Sequence, residues 1–114
     1  LADQPKAKAK FRTLDLTVVG LGYRLTPAKM EILASETPLK AKLVREPENS
    51  HDDNAVAVYL IEKPYENFHI GYLSRAVAKE IAPRLDGGMK VEEAWVLELD
   101  LIESTAELQA KVRR

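Results

Sequence analysis

The 114-residue chain has no cysteine, two histidines, five glycines and no apolar run near the roughly 18 residues that a membrane helix requires. Without cysteine, neither disulfides nor a thiolate zinc site can hold the fold, so packing must do so alone, and a reducing, cytoplasmic setting is expected. His51 and His69 are in neither the helical pair spacing of a metalloprotease nor a zinc-finger pattern, so no metal is expected. The opening LADQPKAKAK lacks the apolar stretch of a signal peptide, which predicts a chain neither embedded in a membrane nor exported by that route. No sign of charge dominates: 17 Lys and Arg oppose 18 Asp and Glu, so the whole domain exerts no long-range attraction on phosphate. Any binding to nucleic acid must therefore be local. The one basic cluster, Lys6, Lys8, Lys10 and Arg12, reads as a solvated tail.

What is present is a series of short alternating segments. In FRTLDLTVVGLGYRL, residues 11–25, Leu14, Leu16 and Val18 keep the two-residue period of a half-buried strand until Gly20 and Gly22 interrupt it. A loop or short helical turn is expected after Pro27. PLKAKLVR (38–45) and AVAVYLI (55–61) read as the second and third strands, and FHIGYL (68–73) as the fourth. Ser74 is placed to cap a helix carrying Val77, Ile81 and Leu85 on one side, and Asp86-Gly87-Gly88 ends it. From Lys90 to Ile102, Val91, Trp95, Leu97, Leu99 and Leu101 share one parity, which predicts a fifth strand with that face inward. The last segment, STAELQAKVRR, has helix-forming composition and basic residues at its end, and reads as frayed or exposed.

These elements predict a mainly β fold, a small OB-like modified barrel of five or six strands with one helix after the fourth. The expected domain covers residues 11–103, with a basic tail over 1–10 and a second tail over 104–114. Its core is expected to hold Val18, Val44, Val56, Val58, Ile70, Val77, Ile81 and Leu97.

Catalysis finds little support in the residues. Asp52 and Asp53 could ligate a hard cation, but their loop lacks the alternating ligands and central glycine of a calcium loop. They sit in EPENSHDDN, where Asn49, Ser50, Asp52, Asp53 and Asn54 can fold back onto local amides and stiffen a turn. GLGYRL is not a dinucleotide fingerprint, because no helix opens there, and no phosphate loop ending in Lys-Ser or Lys-Thr occurs. No cofactor is expected. Tyr23 near the end of the first strand, His51 in the turn and Tyr72 at the end of the fourth strand could converge on one barrel rim, where planar rings can stack on unpaired bases. Each tyrosine has an alternative reading, a buried ring with a hydrogen-bonded hydroxyl.

Three blocks carry a resemblance. REPENSHDDNAVAVY, residues 45–59, resembles the signature of the HIRAN domain family. VVGLGYR (18–24) resembles its first strand, and IGYLSRAVAKEIAPRL (70–85) its Val-Gly-Tyr-Leu strand end and following helix. The resemblance implies a modified OB-like barrel, attached in eukaryotes to fork-remodelling ATPases and found in bacteria alone or beside nucleases and helicases. It also implies a pocket for the 3′ end of single-stranded DNA. In that pocket, the positions of Tyr23 and His51 stack on the terminal base and that of Asp52 accepts from the 3′ hydroxyl. Tyr72 and Arg75 fall where phosphates are contacted. The chain departs from the pattern at His51, where tyrosine is usual, and at Gly22, where a basic residue precedes the stacking tyrosine. Arg24 stands ready to compensate for the second change.

The leading reading is a non-enzymatic module that binds single-stranded or frayed DNA ends as an accessory to repair or processing enzymes such as a helicase or nuclease. The rival is a protein-interaction or structural module on the same barrel. A metal-dependent nuclease through His51, Asp52 and Asp53 would need ligands from another segment. Asn54 is assigned to the turn, and Asp52 stands for either the turn or the ligand.

Overall fold

Six antiparallel strands close on themselves in the computed structural model, which describes residues 11–114. They are β1 (Arg12–Val19), β2 (Leu39–Arg45), β3 (Val56–Leu60), β4 (Phe68–Leu73), β5 (Lys90–Asp100) and β6 (Thr105–Arg113). Two helices interrupt the series, α1 (Pro27–Glu36) after β1 and α2 (Arg75–Asp86) after β4. Around the barrel the order is β1-β4-β3-β2-β5-β6, and β6 returns to β1 through seven paired residues from Arg12↔Val112 to Val18↔Ala106. Closure gives every strand a neighbour on each side, although β1 meets β4 through two residue pairs and β2 meets β5 through three. The Lys6, Lys8 and Lys10 cluster lies outside the described residues.

The fold is the mainly β barrel that the sequence predicts, with additions. β6 replaces the frayed segment expected after Ser104. Ala106, Leu108, Ala110 and Val112 alternate inward with Thr105, Glu107, Gln109 and Lys111 between them, so pairing on both sides overrides helix propensity. A second helix occupies the stretch expected to be a loop or short turn. Thr26 caps α1, its hydroxyl accepting from the Lys29 amide at 3.1 Å, with Pro27 in the first turn and Met30 and Leu33 joining the core. β1 ends at Val19, and the 3-10 turn Leu21–Tyr23 takes the place of the strand's expected continuation.

Of the expected core, Val18, Val56, Val58, Ile70 and Ile81 are buried, and Val77 packs half-buried against them. Val44 is half-buried because it shares the outward parity of Lys40 and Lys42. Leu97 is exposed, a correction that traces to β5. Its pairing with β6 shifts register between Val91 and Glu93 and again between Val96 and Glu98. Each bulge flips the parity, so Ala94 and Val96 point inward while Trp95 and Leu97 do not.

Candidate functional site

The β2–β3 turn is built by its own side chains. The Asn49 carbonyl oxygen accepts from the backbone amides of His51 at 2.8 Å and Asp52 at 3.2 Å, while Asp52 Oδ1 accepts from the Asn54 amide at 2.9 Å. One Asp52 oxygen thus pins the turn. The other, Oδ2, lies 3.9 Å from Arg75 Nε, beyond hydrogen-bond distance, and takes no part in the turn. Arg75 secures the same turn by donating from Nη2 to the His51 carbonyl at 3.0 Å.

β4 brings Tyr72 beside that turn. Its pairing with β1 sets Val19 opposite Tyr72, and its pairing with β3 sets Ala57 there too, so the ring stands between two strands on the outer face. The Tyr72 hydroxyl donates to Glu46 Oε1 at 2.9 Å, and the same oxygen accepts from Asn49 Nδ2 at 3.0 Å. Glu46 therefore ties the β2–β3 turn to β4. Sequence reading gave it no role, although it stands inside the Arg45-Glu46-Pro47 run of the signature; a carboxylate where a strand passes into a polar turn was the available signal. Arg45, the run's first residue, donates bidentately to Asp86 at the end of α2, 3.1 Å from each oxygen, and fixes the far end of the helix that carries Arg75.

Val19, Arg24, Asn49, His51, Asp52, Ala55, Tyr72, Leu73 and Arg75 enclose a cleft of about 350 Å³. Five of the six residues singled out from sequence meet there: Arg24, His51, Asp52, Tyr72 and Arg75. Tyr23 does not line it. The 3-10 turn leaves its ring 96% exposed while bringing Arg24 to the cleft, with the guanidinium 5.7 Å from the centre of the Tyr72 ring. It is this turn, not a strand, that sets the direction of Arg24 relative to Gly22. Chemically the cleft offers two guanidinium groups, a partly free carboxylate oxygen and an aromatic face. The Tyr72 proton is committed to Glu46; burial first, and then that bond, raise the phenol above its ordinary range. Among the described residues no three His, Asp or Glu side chains gather as a metal site, and no helix is long and apolar enough to cross a membrane.

Behind Tyr72 lies His69, edge-on at 4.9 Å between ring centres and stacked on Tyr59 at 4.5 Å. Burial, then the Arg24 guanidinium, lower its pKa, against the Gly71 carbonyl and Glu46, which raise it. Because the folded chain resists protonation here, an unfolded His69 binds its proton at higher pH. The stabilisation from neutral His69 is full above the unfolded value of about 6.5 and is lost as pH falls through the lowered folded value. Melting temperature is therefore expected to fall as pH drops below about 6.5, and His69→Gln should flatten part of that fall. An unchanged slope in the variant would remove His69 as its cause.

Comparison with known proteins bears on the family and the fold. The HIRAN domain family pattern matches residues 11–101. Among solved structures, the chain is similar to the HIRAN domain of human HLTF, with TM-score 0.66 and 24% identity over 88% of this chain and 74% of that one. It is also similar to a protein from Lactobacillus plantarum, with TM-score 0.69 and 24% identity over 94% of this chain and 100% of that one. These likenesses speak to the fold. Comparison with curated proteins found no match. The match over residues 11–101 covers most of the barrel, and the chain belongs to the HIRAN domain family, whose members are small DNA-binding domains, not themselves catalytic.

Proposed function

We propose that the cleft captures the free 3′ end of single-stranded or frayed DNA. One observation carries this reading. Residues from the 3-10 turn, the β2–β3 turn, the end of β4 and the start of α2 converge on one cleft, and they combine two arginines with one carboxylate. Arg24 and Arg75 suit the phosphates of the last nucleotides, and Asp52 Oδ2 suits a donor that a free end has and an internal nucleotide lacks, the 3′ hydroxyl. A carboxylate repels a terminal phosphate, so one residue both accepts the right end and rejects the blocked one. The His51 ring at the rim offers a stacking face, and exposed Tyr23 a second one just outside. Such a module would act in the cytoplasm as an accessory to DNA repair or processing, beside a helicase or nuclease.

The test is a low-salt titration against oligonucleotides that differ only in a 3′ hydroxyl or 3′ phosphate, with tighter binding expected for the hydroxyl. Equal affinity would end the end-capture reading while leaving DNA binding intact. A protein-interaction role has its own observation, the exposure of Tyr23 and Ile102 above nine-tenths. Absence of binding to either oligonucleotide would move the reading there.

A further inference from the structure

A row of cations and rings crosses the outer face of the barrel. On β2 and β5, Lys40 pairs with Trp95, and its ammonium lies 5.3 Å from the ring centre. On β2 and β3, Lys42 pairs with Tyr59 at 5.7 Å, and Tyr59 pairs in turn with His69 of β4 and stacks on it. His69 meets the edge of Tyr72, which lines the cleft. Cross-strand pairs, joined along β2 by Lys40 and Lys42 and along β4 by His69 and Tyr72, thus connect the cleft to Trp95 over four adjacent strands, roughly 15 Å across at the usual interstrand spacing.

Beyond the Ala41↔Ala94 pair, β2 and β5 no longer pair. A second cleft of about 490 Å³ opens there, rimmed by Lys40, Lys42 and Lys111, with the Lys111 ammonium 4.4 Å from the Phe11 ring centre. Glu92 and Glu93 also line it, but Glu92 is paired with Arg113 at 3.1 Å and Glu93 accepts from the Trp95 indole at 3.2 Å. Ion pairs among the described residues are Arg45–Asp86, Arg75–Asp52 and Arg113–Glu92, so none of the three lysines has a carboxylate of those residues within ion-pair reach.

An ammonium resting on a ring can swing to a phosphate, and the face it leaves can take a base. Interleaved rings and unpaired lysines on a sheet match the repeating chemistry of single-stranded DNA, alternately planar and anionic. We infer that the outer face of β4, β3, β2 and β5 is a second single-stranded DNA site, a track that receives the strand as it leaves the end cleft. Tyr59 and Trp95 supply its stacking faces, and Lys42 and Lys40 its phosphate contacts. The inference rests on the proposal that the first cleft takes a DNA end.

Trp95 is the chain's single tryptophan, so its fluorescence reports on this face directly. The chain is titrated with a thymidine dinucleotide, a long linear oligothymidylate and a closed circle of thymidylates, each at several salt concentrations. The dinucleotide should leave Trp95 emission unchanged. The long strand should quench it and bind about fivefold tighter, or more, for each further stacked base. Lys40→Gln with Lys42→Gln, both at exposed positions, should remove that gain and lower the log–log salt slope by about 1.4. A long strand that binds no tighter than the dinucleotide, or that saturates without changing Trp95 emission, overturns the track; preference for a free 3′ end would then still stand by itself. The circle, which has no end, should quench Trp95 through the same two lysines, which supports the track, but bind more weakly than the linear strand; a circle that binds as tightly as the linear strand tells against the end cleft and not against the track.

Discussion

Gly71→Ala is expected to lower the unfolding free energy by about 2 kcal/mol or more, seen as a melting temperature lower by roughly 10 °C. β1 and β4 pair only through Val18↔Leu73 and Val19↔Tyr72, and beside those pairs the Val19 carbonyl sits where a side chain at position 71 would begin. A Cβ there would also lie 3.2 Å from Leu21 Cδ1 and 3.2 Å from Val18 Cγ1, both on fully buried residues. The side chains could yield, but the carbonyl belongs to a strand locked against β6 on its other side. The two strands would have to part, at the place where Val19 and Tyr72 form the cleft wall. Gly71→Ala should therefore weaken DNA binding as well as stability. A variant within about 0.5 kcal/mol of the parent would show that the strands separate easily, and that the glycine is not a steric requirement.

That glycine shows what a single sequence can and cannot convey. Its place in Ile70-Gly71-Tyr72-Leu73 carried part of the family resemblance, but its reason, the close approach of a strand some fifty residues earlier, is visible only in the folded chain. Elements whose signals are local were legible. β4 was read with its observed ends, and α2 begins after Ser74, whose hydroxyl accepts from the Val77 amide at 3.4 Å. Where local and tertiary signals conflict, the reading failed. Ala106 to Ala110 are good helix formers that β1 and β5 hold extended, and two bulges in β5 turned a regular alternation inside out. α1 was hidden because only Met30 and Leu33 of its residues are buried while Ile32 is exposed, which blurs the apolar stripe. At the candidate site the resemblance supplied the residues, and the structure supplied their positions and contacts. It moved Tyr23 outside the cleft, gave Arg24 a place in it, and revealed Glu46 as the acceptor joining Tyr72 to Asn49.

Tyr23→Ala and Asp52→Asn are expected to change DNA binding in different ways. Tyr23 presents an almost fully exposed ring at the turn that delivers Arg24 to the cleft. Its loss should cost about 1–3 kcal/mol against hydroxyl-ended and phosphate-ended strands alike, because stacking is indifferent to the group that terminates the chain. In the proposed end capture, Asp52 acts on that group. Asparagine is a better replacement there than alanine, since its carbonyl oxygen can still accept from the Asn54 amide, as Oδ1 does at 2.9 Å, and keep the turn folded. What it removes is the negative charge facing Arg75. Affinity for the 3′ phosphate should therefore rise while that for the hydroxyl falls or holds, so the two converge. Asp52→Ala, which also strips the turn of its acceptor, should instead weaken binding to the hydroxyl end and reduce discrimination. The measurement is a fluorescence-anisotropy titration of the parent and all three variants in low salt. If Asp52→Asn preserves the parent's discrimination, the carboxylate serves only the turn, and end recognition belongs to another group in the cleft.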